Sequence, residues 1–209
     1  MTAAERSFLF IALPFLIVTS VSAVAQRQME NLGRGVVAMR QSRDSVFIGW
    51  RILGTDPENI AFNLYRVAGN DKSKPVKLNG KPITQGTNFI DTKAYFTQTN
   101  SWYVKAVISG KETESSKTFS LAADAPVRQY LSIPLQTPAG YTPNDASAVD
   151  LDGDGEYDIV LHQSGRGRDN PSVGFTDPPV FQAYTLNGTL LWTINLGKNI
   201  REERIIRNI

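Results

Sequence analysis

Hydrophobic and polar residues alternate in short runs between residues 46 and 121. The runs are rich in β-branched and aromatic residues, and they span residues 46–52, 61–67, 88–91, 102–108 and 118–121. Period-two alternation is typical of strands that bury one face, and glycine, proline and asparagine mark the turns between the runs. Short strands with no helical period predict an all-β fold, with a β-sandwich over residues 26–125.

Three aromatic residues stand out in this region, namely Trp50, Tyr65 and Tyr103. We predict that they form the core of the sandwich, because large buried aromatics dominate such cores. The alternative is a platform for a sugar. The strand pattern resembles a fibronectin type III domain, which implies a fold but no chemistry.

A second strand pattern begins after a boundary near Ala125-Pro126. Its runs cover residues 146–149, 157–162, 181–186 and 190–195, and Asn187-Gly188 predicts a hairpin between the last two. Four strands within about 50 residues are typical of one β-propeller blade, predicted over residues 126–201. A single blade needs neighbours to cover its faces.

The first 25 residues predict a secretory signal peptide. Arg6 precedes an apolar run at residues 8–18, and Ala23-Val24-Ala25 predicts cleavage before Gln26. A membrane anchor is the alternative, but a spanning helix needs roughly 20 apolar residues and Pro14 interrupts this run. We therefore expect a secreted protein, extracellular or periplasmic, with no membrane association after cleavage.

The composition narrows the choice of partners. The net charge of +2 is too small to indicate nucleic-acid binding, and no run of Lys and Arg is present.

The chain has no cysteine, so disulfides cannot stabilise it and only core packing or bound metal can. We expect a monomer.

An acidic loop, DLDGDGEYD at residues 150–158, follows the first strand of the second region. Its closely spaced carboxylates repel each other unless a cation neutralises them, and Ca²⁺ takes six to eight oxygen ligands. The candidate ligands occupy positions one, three, five, seven and nine: Asp150, Asp152, Asp154, Glu156 through its backbone carbonyl, and Asp158. Gly155 lies at position six, where the chain must turn sharply.

The loop is not an EF-hand, because position twelve is Leu161, which cannot bind metal, and strands flank the loop. Softer metals are disfavoured by the absence of cysteine and the single histidine. We predict a Ca²⁺ site, and the alternative is a polar hairpin turn. The single histidine, His162, is predicted to be a hydrogen-bonded structural residue rather than a catalytic one.

A basic loop at residues 165–170 contains Arg166 and Arg168. Arginine pairs bidentately with carboxylates, so this loop is a candidate contact for an anionic substrate. A solvated surface loop explains the same residues equally well.

Several motifs in order resemble the rhamnogalacturonan lyases of polysaccharide lyase family 11. They are RQMENLGRG at residues 27–35, NDAS at 144–147, the acidic loop, LLW at 190–192 and LGKNIR at 196–201. The resemblance implies a fibronectin-like domain, then an eight-bladed propeller whose loops hold calcium. It also implies cleavage of the pectin polysaccharide rhamnogalacturonan I by β-elimination.

The resemblance assigns a sugar contact to Asn144, while an acidic sugar contact of some members is missing from residues 161–165. It places the catalytic residues mainly beyond the end of this chain, so we expect the chain to have no lyase activity by itself. The alternative is a non-catalytic secreted module for carbohydrate binding or adhesion, with a calcium-binding, FG-GAP-like blade.

The resemblance stops at residue 201. Residues 202–209 show no turn chemistry and no partner for a strand. Residues 204–208 can be encoded by a nucleotide sequence that, in a reading frame shifted by one base, encodes His-Tyr-Thr-Gln. Members of the family typically continue with this stretch. We therefore expect this tail to result from a frameshift.

Overall fold

A computed structural model describes residues 31–69, 73–169 and 171–203 of the protein. This part of the chain contains twelve strands and no helix, and so nothing in it has the length and apolarity of a membrane-crossing helix. The predicted signal peptide lies outside the described residues. The strands are β1 (Val37–Arg40), β2 (Val46–Gly49), β3 (Ala61–Ala68), β4 (Val76–Lys77), β5 (Asn88–Asp91), β6 (Asn100–Ile108), β7 (Lys111–Ser115), β8 (Phe119–Leu121), β9 (Thr142–Val149), β10 (Asp158–Ser164), β11 (Val180–Thr185) and β12 (Leu190–Asn195).

The first eight strands form two sheets with one core, which we call the two-sheet unit. One sheet has the order β1-β2-β5, and the other has the order β4-β3-β6-β7 with β8 also paired to β6. Every strand pair is antiparallel. The core draws on both sheets, with Ile48 from the first and Leu64 and Trp102 from the second fully buried. All five strands predicted for this region are present, while β1, β4 and β7 were not predicted.

A buried ion pair connects the two sheets across this core. Arg66 of β3 donates to both carboxylate oxygens of Asp91 on β5, at 2.9 and 2.7 Å. The indole nitrogen of Trp102 donates to the same carboxylate at 3.1 Å. Because both charged side chains are nearly inaccessible, removing one partner would leave the other as an uncompensated buried charge.

The core prediction is confirmed for Trp50, which is buried, and is wrong for Tyr65 and Tyr103. The two tyrosines are half-buried and stack on the outer face of the β3–β6 pair, with ring centroids 5.2 Å apart. Their neighbours Leu64 and Trp102 face inward, and successive side chains of a strand point to opposite faces. Alternation alone does not tell which of the two faces is buried.

The last four strands form a separate antiparallel meander with the order β12-β11-β10-β9, which we call the four-stranded sheet. The predicted hairpin between β11 and β12 is confirmed by their register, with Gly188 in the left-handed region at φ 89°. One face of this sheet is held by hydrogen bonds to the segment that precedes β9. Gln136 donates its backbone N–H to Tyr184 Oη at 2.9 Å and accepts from Gln182 Nε2 at 3.0 Å.

Candidate functional site

The acidic loop connects β9 to β10, and two glycines give it its shape. Gly153 and Gly155 have φ values of 76° and 86°, which side chains disfavour. A Cβ atom on Gly155 would lie 3.0 Å from the backbone nitrogen of Gly33. Glycine is therefore required at position 155 both for the turn and for close contact with the two-sheet unit.

Backbone amides hold the first carboxylate of the loop. Asp150 accepts hydrogen bonds from the N–H groups of Gly153 at 2.8 Å, Asp154 at 3.1 Å and Gly155 at 2.9 Å. The loop therefore wraps around this side chain.

Three of the predicted ligands converge. Asp150, Asp152 and Asp158 each offer an oxygen, and the three oxygens lie within 4.8 Å of one another. Burial, and then the neighbouring carboxylates, raise the pKa of Asp158. Because all the candidate donors are carboxylate oxygens, this cluster fits Ca²⁺ better than a softer metal.

The other two predicted ligands contact the two-sheet unit instead. Asp154 accepts from Lys117 Nζ at 2.7 Å, and this contact lowers the pKa of the Asp154 carboxyl. Glu156 pairs with Arg51 at 3.0 Å, while burial of its carboxyl raises its pKa. Since the ligand predicted for Glu156 was its backbone carbonyl, the Arg51 pair is compatible with that prediction.

These contacts make the acidic loop a junction between the two parts of the molecule. Besides the two ion pairs, the backbone N–H of Gly33 donates to the carbonyl of Gly155 at 2.7 Å. The Arg51 guanidinium also lies over the Tyr157 ring, 4.3 Å from its centroid. Ordering of the loop by a cation would therefore also order this junction.

The predicted sugar contacts lie at the opposite end of the four-stranded sheet. Ser164 pairs with Thr142 at that end, whereas Asp158 pairs with Val149 beside the acidic loop. Asn144 is two residues from Thr142, and Arg166 is two residues beyond Ser164. A seven-residue strand spans about 20 Å, so a cation in the loop cannot contact a sugar at this end.

The two arginines of the basic loop differ in their contacts. Arg168 Nε donates to the carbonyl of Phe175 at 3.4 Å. The Arg168 guanidinium also packs closely against Gly174, because a Cβ atom added to this glycine would lie 3.1 Å from it. Arg166 keeps 66% of its side chain exposed and pairs with Asp177 at 3.5 Å. Both side chains are exposed, and they differ in that Arg168 contacts its own loop whereas Arg166 pairs with Asp177.

His162 is hydrogen-bonded as predicted. Its Nε2 lies 3.1 Å from Glu202 Oε2, and its ring stacks on Phe181 with centroids 5.0 Å apart. Glu202 is almost fully buried and also accepts from Ser164 Oγ at 3.1 Å. No local pattern in the sequence distinguishes Glu202 from the charged residues beside it.

The packing of Glu202 corrects one prediction about the tail. Its carbonyl accepts from the backbone N–H of Arg168 at 3.2 Å, and Glu203 forms a β-bridge with Arg168. Residues 202 and 203 therefore have a partner that the sequence did not reveal. Residues 204–209 lie outside the described residues.

Two family models match the chain. Residues 27–121 match the rhamnogalacturonan I lyases beta-sheet domain. Residues 130–204 match the rhamnogalacturonan lyase family 11 C-terminal domain. Together they cover most of the chain, including both the two-sheet unit and the four-stranded sheet.

Curated relatives from Bacillus subtilis (strain 168) agree with these models. The chain is 38% identical over 214 residues to rhamnogalacturonan endolyase YesW, which covers 94% of this chain and 32% of the relative. It is 39% identical over 187 residues to rhamnogalacturonan exolyase YesX, covering 84% of this chain and 28% of the relative. The chain thus spans about a third of the length of these curated relatives.

Solved structures give the same result. The Bacillus licheniformis rhamnogalacturonan lyase PL11 aligns with a TM-score of 0.70 and 41% identity, covering 85% of this chain and 30% of that one. Rhamnogalacturonan lyase YesW aligns with a TM-score of 0.71 and 39% identity, covering 85% of this chain and 30% of that one.

Proposed function

The chain belongs to the rhamnogalacturonan lyases of family 11, and we propose from this that it is the N-terminal part of a secreted, calcium-dependent rhamnogalacturonan endolyase. The observation that carries the proposal is the match of both regions of the chain, in order, to models of this one family. The substrate would be the acidic backbone of rhamnogalacturonan I.

We propose a fibronectin type III-like domain for the two-sheet unit and the first blade of an eight-bladed propeller for the four-stranded sheet. The antiparallel meander of β9 to β12 supports the second assignment. So does the exposure of β9, whose residues 142–148 are all solvent-accessible and would face the centre of a closed propeller.

The proposed reaction is β-elimination. A base takes the proton from C5 of a galacturonate, a C4–C5 double bond forms, and the bond from C4 to the bridging O4 breaks. The oxygen leaves on the rhamnose with the electron pair of that bond and takes up a proton. Negative charge develops on the neighbouring carboxylate, which cationic groups stabilise. The resemblance to the family implies that the catalytic residues lie mainly beyond this chain, so we assign binding and structural support to this chain and the base to later blades.

Calcium in the acidic loop would support the fold rather than the chemistry. The loop holds three converging carboxylates at the junction with the two-sheet unit, about 20 Å from Asn144. A bound ion would neutralise these carboxylates and hold Gly155 against Gly33.

Incubation of the 209-residue protein with rhamnogalacturonan I tests the proposal. We expect saturable binding without the ultraviolet-absorbing unsaturated product of a lyase. Absence of binding would contradict the proposed function, and appearance of product would contradict the assignment of the base to later blades.

Binding without product also fits the alternative of a non-catalytic carbohydrate-binding or adhesion module. Sequencing of the gene downstream separates the two. Further blades with Asp-x-Asp-x-Asp-Gly loops would support the lyase, and their absence would favour the binding module.

A further inference from the structure

A pocket of about 610 Å³ lies at the end of the four-stranded sheet that is remote from the acidic loop. It is formed by the connection between β10 and β11 together with the segment that follows β12. Its lining includes Arg166, Phe175, Asp177, Lys198, Asn199 and Arg201. We propose that this loop pocket binds the carboxylate-bearing ring of an acidic saccharide, an inference that rests on the proposed function.

The charge of the loop pocket fits an anion. Three cationic side chains, Arg166, Lys198 and Arg201, share the lining with one carboxylate, Asp177. Asp177 already forms an ion pair with the Arg166 guanidinium at 3.5 Å and accepts a hydrogen bond from the backbone N–H of Arg166 at 2.8 Å. The lining therefore carries two positive charges in excess, which attract a monoanion such as a uronate.

The exposed aromatic ring of Phe175 lies beside these cations. Phe175 is 90% exposed and Val173 is 88% exposed, more than any other large hydrophobic side chain of the described residues. Exposed apolar groups next to convergent polar groups are typical of ligand-binding surfaces. A pyranose has an apolar face that can stack on the Phe175 ring while its carboxylate meets the cations.

The loop that presents Phe175 is held in place. Gly174, with φ 115°, lets the Arg168 guanidinium approach the backbone closely, and Arg168 Nε donates to the carbonyl of Phe175 at 3.4 Å. The Arg201 guanidinium donates to the carbonyls of Asp169 and Ser172 on the same loop. A preorganised loop loses less conformational freedom on binding.

The position of the loop pocket agrees with a saccharide ligand. Arg166 lies at the same end of the sheet as Asn144, since Ser164 pairs with Thr142. The three cations form a compact group rather than a stripe, so the pocket suits one carboxylate rather than a nucleic-acid backbone. A chain bound at Asn144 could thus extend across Phe175.

Calorimetric titration of the 209-residue protein with a rhamnogalacturonan I backbone oligosaccharide tests the inference. A matched ligand has its galacturonate carboxylates reduced to primary alcohols. The wild type should bind the acidic form at least about tenfold more tightly, since a charge-assisted hydrogen bond contributes 1.5–3 kcal/mol and 1.4 kcal/mol is a factor of ten.

Two variants distinguish the contribution of the cationic side chains to binding from that of the Phe175 ring. Arg166→Ala with Lys198→Ala should remove the preference for the acidic form, while Phe175→Ala should weaken both forms by a similar factor. Arg43→Ala, an exposed cation of the two-sheet unit, is the control and should bind like the wild type. Because all replaced side chains are exposed, unchanged melting temperatures verify the fold.

The possible failures are distinguishable. If the wild type prefers the acidic form and the charge variant retains that preference, the loop pocket is the wrong site and the proposed function stands. If the wild type binds the two forms equally, the pocket does not recognise carboxylate. If it binds neither, the pocket and the proposed function both fail.

Discussion

The two-sheet unit and the four-stranded sheet bury apolar and polar side chains in different proportions. The unit has an apolar core shared by two sheets, with the Arg66–Asp91 pair crossing it. The four-stranded sheet buries few apolar residues and several polar ones, among them Gln163, Gln182 and Glu202. Hydrophobic burial is largely insensitive to pH and ions, whereas hydrogen-bonded carboxylates are not. The unit also contains hydrogen-bonded carboxylates, those of Asp91 and Glu112. We therefore expect both regions to depend on pH, whereas calcium should act on the four-stranded sheet, which carries the acidic loop.

The junction between the two regions joins carboxylates of one region to cations of the other. The four-stranded sheet contributes the carboxylates of Asp154 and Glu156, and the two-sheet unit contributes the cations of Lys117 and Arg51. These side chains are partly exposed, and exposed ion pairs contribute at most about 1 kcal/mol each. The junction therefore depends more on loop order than on the strength of either pair.

The largest effect is expected in the two-sheet unit. Asp91→Ala would leave Arg66 buried without its partner, and breaking a buried pair in this way costs about 3–5 kcal/mol of unfolding free energy. Urea denaturation measures the change. Asp44→Ala, at an exposed site, should stay within about 0.5 kcal/mol. A loss below about 1 kcal/mol for Asp91→Ala would show that the pair does not hold the sheets together.

The next effect concerns calcium and the four-stranded sheet. Calcium at about 100 times its dissociation constant should stabilise the protein by about 2.7 kcal/mol, and a chelator should reverse this. Asp152→Ala removes one of the three converging carboxylates and should abolish the stabilisation. Differential scanning calorimetry with and without calcium measures it, with Glu114→Ala as the control. An unchanged calcium response in Asp152→Ala would exclude the loop as the site.

A smaller effect is expected where Glu202 packs on β10. Glu202→Ala removes the partner of His162 and Ser164 and should cost about 1–3 kcal/mol, the usual cost of leaving polar groups unsatisfied. Thermal unfolding of the variant, compared with Glu203→Ala, measures the change. Equal melting temperatures for the two variants would mean that the buried carboxylate does not stabilise the sheet.

The smallest effect is a pH dependence in the two-sheet unit. The hydrogen bond from Tyr65 to Glu112 raises the pKa of Tyr65 to about 12 and lowers that of Glu112. Its stabilisation is therefore present below the ordinary tyrosine pKa near 10 and is lost as pH rises towards 12. On the acid side it is lost as pH falls through the lowered pKa of Glu112.

Ultraviolet titration of phenolate tests this dependence. The tyrosine that ionises near pH 12 should disappear from the curve in Tyr65→Phe. Glu112→Gln removes the carboxylate and should move the ionisation of Tyr65 to lower pH. If Glu112→Gln leaves the curve unchanged, another group is responsible for the raised pKa.

The sequence by itself determined the features that depend on neighbouring residues. Alternation between residues 61 and 67 predicted β3, and Asn187-Gly188 predicted the hairpin of β11 and β12. The spacing of carboxylates at positions one, three, five and nine of the acidic loop predicted a cluster, of which the structure brings Asp150, Asp152 and Asp158 together. Such features follow from backbone geometry and local charge, which act over a few residues.

Only the tertiary structure decided which distant groups meet. Period-two alternation left open which face of β3 is buried, and packing of the β1-β2-β5 sheet against the opposite face left Tyr65 on the outside. Asp154 pairs with Lys117, which lies 37 positions earlier in the chain, and Glu202 pairs with His162, which lies 40 positions earlier. The separation of Asn144 from the acidic loop follows from the length of β9 in the folded sheet. These contacts depend on how sheets and loops pack, because an ion pair or a buried hydrogen bond requires proximity in space and leaves no periodic trace along the chain.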